Sequence, residues 1–310
     1  MIRFILGRLG RIAVQVFLIL SLVFVLFRIA PGDPAALMLG GNASQDAVDR
    51  LRQQLGYDRP IGTQYLEYLG HAAHGDLGTS TSYSRPVIPV IVEHIGPTFS
   101  LLVVSMVLAV VVGMVTGTVA AVRPRSWFAR GSLLGAVALL SMPNFWIGML
   151  LIQFFAVQLR WLPAVGYTSL ASLILPSVAV ASRLIALIAR LTRGTVTDVL
   201  AQDFIITARA RGVSTRRLVL VHALRPALPH VLTLIGLQAG YLLGGAVVIE
   251  FLFSYPGMGQ LLLSAVSQRD YPLVEGITVF FVAGFLLINV LVDLVSSKLD
   301  PRLQTMSVVR

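Results

Sequence analysis

The sequence contains no cysteine. That excludes disulfides, thiolate metal sites and cysteine nucleophiles at once. It is almost without lysine as well: of the 24 basic residues only Lys298 is one, and Leu299 follows it. A phosphate-binding loop of the Gly-Lys-Ser/Thr kind needs that lysine to reach the β- and γ-phosphates. This chain has none, so any ATP chemistry belongs to another subunit. Charge is scarce overall. Charged residues make up 12% of the chain, about half the roughly 25% of a soluble domain. A chain with so few charges and 56% hydrophobic residues cannot cover a water-facing surface of ordinary extent. Composition therefore points to an integral membrane protein. Neither GxSxG nor HExxH occurs, and no nucleophile–base or metal constellation is visible. His71 and His74 stand three apart in a polar loop, which reads as ordinary loop chemistry; no metal site is expected.

What is present in quantity is apolar sequence. A bilayer core about 30 Å thick takes roughly 20 apolar residues of helix. Six stretches meet that length: Leu9 to Ile29, Thr98 to Val122, Leu133 to Leu159, Leu173 to Leu191, Val231 to Phe253 and Gly276 to Val295. The second and third are the clearest. The fourth is interrupted by Arg183 and is the least certain by hydropathy alone. The first is longer than a signal-peptide core of 7–15 residues, and it runs into Arg28 and PGDP instead of a small-x-small site, so it reads as an uncleaved helix. The expected fold is all-α, with six transmembrane helices.

The net charge of +10 is distributed as topology charge, not as a nucleic-acid patch. Arg3, Arg8 and Arg11 precede span one. Arg123, Arg125 and Arg130 follow span two. Arg193, Arg209, Arg211, Arg216, Arg217 and Arg225 follow span four, and Lys298, Arg302 and Arg310 lie in the tail. The alternate short loops hold only Arg160 and Arg269. Arginine-rich short loops stay in the cytoplasm. Both termini and the 193–230 loop are thus expected inside, in a multi-pass bacterial plasma-membrane protein. The expected organisation is span one with its N-terminus over 1–30, an extracytoplasmic loop over 31–97, a five-span core over 98–296 and a cytoplasmic tail over 297–310. Within the loop, SQDAVDRLRQQLG (44–56) reads as a helix capped by Ser44 and stopped by Gly56.

The 193–230 loop carries the most information. QDFIITARARG (202–212) reads as a helix continuing from span four and ending at Gly212, a residue that accepts the left-handed conformation. Ser214 is then placed to cap a second helix through STRRLVLVHAL. The product is a helix–turn–helix elbow outside the membrane, basic at Arg209, Arg211, Arg216 and Arg217 and apolar at Val213, Leu218 and Leu220. Physical reasoning alone leaves two readings level: arginines resting on anionic lipid headgroups, or a docking surface for a cytoplasmic partner.

The elbow resembles the EAA loop of binding-protein-dependent ABC importer permeases. Ile206, Thr207 and Ala208 take the Glu-Ala-Ala places, Gly212 is the glycine, and the proline is displaced to Pro226. The version here, Asp203 to Gly212, is similar to that of the dipeptide/oligopeptide/nickel branch. FRIAPGDPA (27–35), LGYDRPIGTQY (55–65), GDLGTS (75–80), SMPNFW (141–146), ARLTR (189–193), EFLFSYPGMGQLL (250–262) and RDYP (269–272) extend the resemblance to that branch's B-type permease along nearly the whole chain. It implies a type I importer permease architecture and no catalytic residue in this chain. It also implies that Asp203, Thr207, Ala208, Arg209, Arg211, Gly212, Ser214, Arg216 and Arg217 form the surface gripped by an ATPase. ATP and Mg would be held by two ATPase subunits or one fused chain. A second permease and an extracytoplasmic solute-binding protein complete the implied assembly; nucleic acid has no part in it. Tyr255, Pro256 and Gly257 fall, by the same analogy, in the outer gate. Substrates of the branch are di- and oligopeptides or nickel chelates, and peptide is the first expectation.

Two ionisable residues lie at membrane depth, where charge is costly and usually functional. Arg183 is in span four and Glu250 near the outer end of span five, and both are expected to face a polar path, close to one another. Gly236, Gly240 and Gly244 recur every fourth residue, the spacing that lets helices approach closely, either within the chain or against a partner. A secondary transporter would show inverted repeats and broken helices; neither is visible in the sequence, and such a protein has no use for the elbow.

Overall fold

The computed structural model describes residues 44–54 and 56–299, together with Gly10, 14–18, 20–22, 24–26, Ala36 and Leu39. Parts of the first expected span, and all of FRIAPGDPA, lie outside the described residues; 14–18, 20–22 and 24–26 are helical. The described helices are α1 (Gln45–Gln54), α2 (Ile61–Ala73), α3 (Val87–Val122), α4 (Trp127–Ser141), α5 (Asn144–Leu151), α6 (Ile174–Leu200), α7 (Asp203–Ala210), α8 (Thr215–Arg217), α9 (Ala227–Leu252), α10 (Met258–Ser267) and α11 (Tyr271–Leu299). Two short strands, β1 (Thr79–Ser80) and β2 (Arg85–Pro86), pair antiparallel with Thr79 opposite Pro86 and Ser80 opposite Arg85.

Among the described residues four helices are long and apolar enough to cross a membrane: Val87–Val122, Leu170–Leu200, Ala227–Leu252 and Tyr271–Val292. The third expected span corrects the sequence reading. It is two helices, α4 and the Asn144–Gln158 segment, bent by 112°. The cause is local. Pro143 forces Met142 out of the helical region, to φ −97° and ψ 135°. Pro143 itself is extended, at φ −64° and ψ 143°, and the next helix starts at Asn144 directly after it. α5 runs on into a wider π-helical stretch over Ile152–Gln158.

The fourth span, the least certain from the sequence, is an unbroken helix and the most enclosed of the four: 67% of its apolar stretch is buried inside the protein, against 33% or less for the others. A helix shielded by its neighbours needs less lipid-facing hydrophobicity, so Arg183 does not interrupt it.

The chain divides into two units. One comprises the described residues of Met1–Gly96 with Gly257–Leu286, the other those of Pro97–Pro256 with Leu287–Arg310. In the first, Val87, Val90 and Ile91 of α3 pack with Leu261 and Ala265 of α10 and with Leu273, Val274 and Ile277 of α11. Asp270, fully buried, organises the polar side of this unit. It accepts hydrogen bonds from the Ser80 hydroxyl at 2.5 Å and the Ser82 amide at 3.0 Å, and its other oxygen accepts from the Leu273 amide at 3.3 Å, at the start of α11. α1 begins with the Ala47 amide over the Ser44 hydroxyl at 3.4 Å and is followed by Gly56 at φ +69°, as the sequence requires.

In the second unit α6 is the hub. Leu175, Ala179, Val180, Leu184 and Ile188 pack against Leu101, Ala109 and Met114 of α3 and against Val231, Ile235, Leu242, Ala246 and Ile249 of α9. Gly113 and Gly117 set the α3–α6 distance. A Cβ at Gly113 would stand 2.8 Å from Ile188, and one at Gly117 would strike the carbonyl of Ala189. This GxxxG pair lets α3 and α6 approach closely.

Candidate functional site: the elbow and an intramembrane cation

α6 ends at Leu200, and Ala201 and Gln202 leave the helix before α7 begins. The expected continuation from span four is therefore broken at Ala201–Gln202. Gln202 adopts ψ 148°, and that kink turns α7 away from the α6 axis. α7 closes as its sequence requires. Gly212 is at φ +82°, its amide donates to the Arg209 carbonyl at 3.0 Å, and the Val213 amide reaches back to the Ala208 carbonyl at 3.2 Å. This is a Schellman closure. Val213 and Ala208 lie against the same small core, the hydrophobic contact that usually accompanies such an end.

Ser214 precedes α8, but its side chain makes no cap bond; the Leu218 amide bonds to the Ser214 carbonyl at 3.0 Å instead. The second helix is also shorter than expected. After Thr215–Arg217 the backbone widens into a π-helical turn over Leu218–Ala223.

The elbow has its own core. Ile205, Leu218 and Ala223 are buried together with Ala121 of α3 and Val196 and Val199 of α6. The elbow is thus seated on the ends of two spans. Its other face is exposed. Asp203, Thr207, Arg209, Arg211, Gly212, Ser214, Arg216 and Arg217 are all exposed, and Ala208 is half-buried. Phe204 (49%), Ile206 (61%) and Leu220 (63%) are exposed among them. Of the three apolar residues read from the sequence, Leu218 turns inward, Val213 is half-buried and Leu220 turns out. Phe204 and Ile206 went unnoticed, although Phe204 directly precedes the buried Ile205 and so falls on a different face of α7. Arginines interleaved with exposed apolar side chains suit a protein surface better than headgroups alone, since arginine and aromatic residues are enriched where proteins meet.

Arg183 lies nine residues into α6, about 14 Å from its start at helical rise. Its guanidinium carbon stands 4.7 Å from the centroid of the Tyr241 ring, on α9. Its Nε is buried without a hydrogen-bond partner. Among the described residues no carboxylate pairs with it. Inserting an arginine at mid-span costs about 2.5–3.5 kcal/mol on translocon scales. A cation–π contact returns only about 0.5–2 kcal/mol, which leaves the charge undercompensated. The Tyr241 hydroxyl points at the Asn144 carboxamide oxygen, 3.4 Å away, and Asn144 stands at the bend between α4 and α5. Neither Tyr241 nor Asn144 was singled out by sequence. The available signals were a polar residue directly after the SMP break and a tyrosine between Gly240 and Gly244.

Glu250 differs. It is fully buried, and its carboxylate accepts from the Thr98 hydroxyl at 2.7 Å, joining α9 to α3. Nine residues separate it from Tyr241, about 14 Å along the helix. Arg183 and Glu250 therefore hold different contacts, and among the described residues no ion pair joins the two charges. With no exposed face, Glu250 reads as a helix tie rather than a path residue.

Tyr255 is fully buried and shares a hydrogen bond of 3.0 Å with the Ser100 hydroxyl. It donates to the Pro97 carbonyl at 3.3 Å and meets the Tyr167 ring edge-on at 5.0 Å. Burial pushes its phenol up to about 12, so it stays a donor at neutral pH. Pro256 is exposed, and Gly257 is buried at the start of α10. Of the glycine series, Gly236 meets Val292 of α11, 3.0 Å from where its Cβ would be; Gly240 and Gly244 are exposed, and nothing lies near Gly244. The series is split between an internal contact and an open face. Among the described residues no three His, Asp or Glu gather as a metal site; His71 instead faces Asp76 at 3.2 Å.

Known proteins resemble this chain along nearly its whole length. The chain is 42% identical to the glutathione transport system permease protein GsiC of Escherichia coli K12 over 304 residues, covering 98% of this chain and 99% of that one. It is 41% identical to the protein of the same name from Shigella flexneri serotype 5b, with the same coverage. Among solved structures, a chain of the MetNI methionine ABC transporter, in inward-facing conformations, matches with a TM-score of 0.53 at 19% identity, covering 69% of this chain and 97% of that one. That likeness concerns the fold alone. Residues 1–103 match the N-terminal part of a binding-protein-dependent transport system membrane component. Residues 109–305 match the binding-protein-dependent transport system inner membrane component, and with more than half of the chain so matched, this multi-pass membrane protein belongs to that family as a transport subunit without an ATPase of its own.

Proposed function

We propose that this chain is the B-type permease of an ATP-driven importer of short peptides, glutathione-like tripeptides among them. In this reading it forms half of a path shared with a second, homologous permease. A solute-binding protein delivers the substrate to the outer face, and two ATPase subunits or one fused chain grip the elbow from the cytoplasm. Both termini lie on the cytoplasmic side, in keeping with the arginine distribution.

The observation that carries the reading is the elbow's two-faced construction. Ile205, Leu218 and Ala223 anchor it to α3 and α6, while Phe204, Ile206, Leu220 and the four arginines stay free for a partner. A push on the exposed face is thereby transmitted to α6, the hub of its unit. Coupling then follows if the ATPase state and the state of the spans favour each other reciprocally. The near-full-length similarity to proteins named as glutathione transport permeases supports a short peptide as cargo.

The test is ATP-dependent uptake by the complete complex in proteoliposomes, with labelled glutathione and trialanine as probes. Uptake of either that needs the binding protein and ATP supports the reading. Uptake driven by an ion gradient without ATP contradicts it.

A further inference from the structure

We propose that Arg183, stacked on Tyr241 and backed by Asn144, is a station for the carboxylate of the cargo during its passage. This rests on the reading of the chain as a short-peptide importer and names the group on the peptide that the path recognises.

Four observations converge. Arg183 is an intramembrane cation with no carboxylate partner among the described residues, and its Nε is buried without a hydrogen bond. A charge left undercompensated at that depth is one that a mobile anion can complete. The guanidinium carbon stands over the Tyr241 ring at 4.7 Å, and a guanidinium is the group whose planar fork matches a carboxylate bidentately. Tyr241 is itself 42% exposed, between the exposed Gly240 and the open Gly244. The cluster therefore borders a surface that the rest of this chain does not cover. Finally, the third member stands at a joint: Asn144 is the first residue after the 112° break between α4 and α5. The nearest carboxylate on the same helix as Tyr241, Glu250, is engaged with Thr98, so the chain's own acid does not complete the site.

A peptide with a free C-terminus brings the missing anion. A passing carboxylate would be held by the guanidinium edge and released as α6 and α9 shift, without any bond being made or broken. Arg183 acts here as a specificity residue. Lysine in its place keeps the charge but loses the planar fork, so it retains part of the function.

The experiment uses the complete complex in proteoliposomes, with wild type, Arg183→Gln and Arg183→Lys compared for labelled glutathione and trialanine uptake and for ATP hydrolysis stimulated by the binding protein. Arg183→Gln is expected to lower uptake at least tenfold while stimulated ATP hydrolysis stays within twofold of wild type, and Arg183→Lys to recover a third or more of uptake. Stimulated hydrolysis shows that the variant complex is folded and assembled. Uptake by Arg183→Gln within twofold of wild type overturns the inference alone. So does an Arg183→Lys complex as inactive as the glutamine variant, and so does a glutamine variant that no longer assembles, since either makes the residue a packing element. Wild-type vesicles that take up neither peptide overturn the substrate reading, and this inference with it.

Discussion

Asp270 accepts a hydrogen bond from the hydroxyl of Ser80, a residue 190 positions earlier in the chain. The same carboxylate takes the Ser82 amide, and its second oxygen takes the Leu273 amide. GDLGTS and RDYP, two short segments far apart in sequence, are thus two halves of one buried clamp in the first unit. Buried hydrogen bonds to a charged group contribute about 1.5–3 kcal/mol each. Asp270→Ala should therefore destabilise the protein by roughly 3 kcal/mol or more, while Ser80→Ala, which leaves the amide contacts in place, should cost roughly 1–3 kcal/mol. Thermal unfolding of the detergent-purified complex measures both.

Gly117 faces the backbone of α6 so closely that no side chain fits. Overpacking of this kind costs about 1–3 kcal/mol, so Gly117→Val should reduce assembled protein in the membrane. Gly244→Ala has open space before it and should leave this chain's own stability within about 0.5 kcal/mol of wild type. Quantitative immunoblotting of membranes with a thermal-shift assay separates the two.

The tie between Thr98 and Glu250 is buried at both ends. Thr98→Val keeps the shape and removes the donor. The expected loss is about 1–3 kcal/mol, visible as a lower melting temperature. Transport at permissive temperature should persist, because Glu250 is placed as a tie and not as a path residue.

At Gly212 the backbone is left-handed at φ +82°, where a Cβ costs roughly 1–2 kcal/mol. Gly212→Val should loosen the end of α7 and reduce transport-coupled ATP hydrolysis severalfold. Chain insertion should be unaffected, since the position is exposed and has open space around it. Membrane-fraction yield and stimulated ATPase activity, measured side by side, check this.

How much of this was legible in advance depends on whether the signal is local. Gly212 was readable because one backbone conformation demands glycine, and Ser44 and Gly56 bracket α1 for similar reasons. The 112° break was present as Pro143 but was overlooked, because high hydropathy on both sides of it suggested one straight span. Arg183 weakened the fourth span by a measure that scores contact with lipid. α6 is enclosed by protein, so the measure was applied to the wrong solvent. The contacts of Tyr241 with Asn144 and of Ser80 with Asp270 join positions roughly a hundred or more residues apart. No periodicity or spacing encodes such a pairing. The glycine series of span five had the right spacing for a close contact, yet only Gly236 makes one within the chain; spacing states what a helix face permits, not what lies opposite.

The central claim is that the bend after Asp203 is held by the ATPase in the cytoplasm. Because the natural sequence has no cysteine, Arg216→Cys introduces a single thiol at an exposed position of that bend. The decisive measurement is thiol cross-linking of this variant in inside-out membranes carrying the whole complex, with a short bifunctional reagent and mass spectrometry of the product. The account predicts a cross-link to a P-loop subunit whose yield changes with ATP. A thiol that forms no such link, and that reacts only with a membrane-impermeant maleimide added from the outer face, would contradict it.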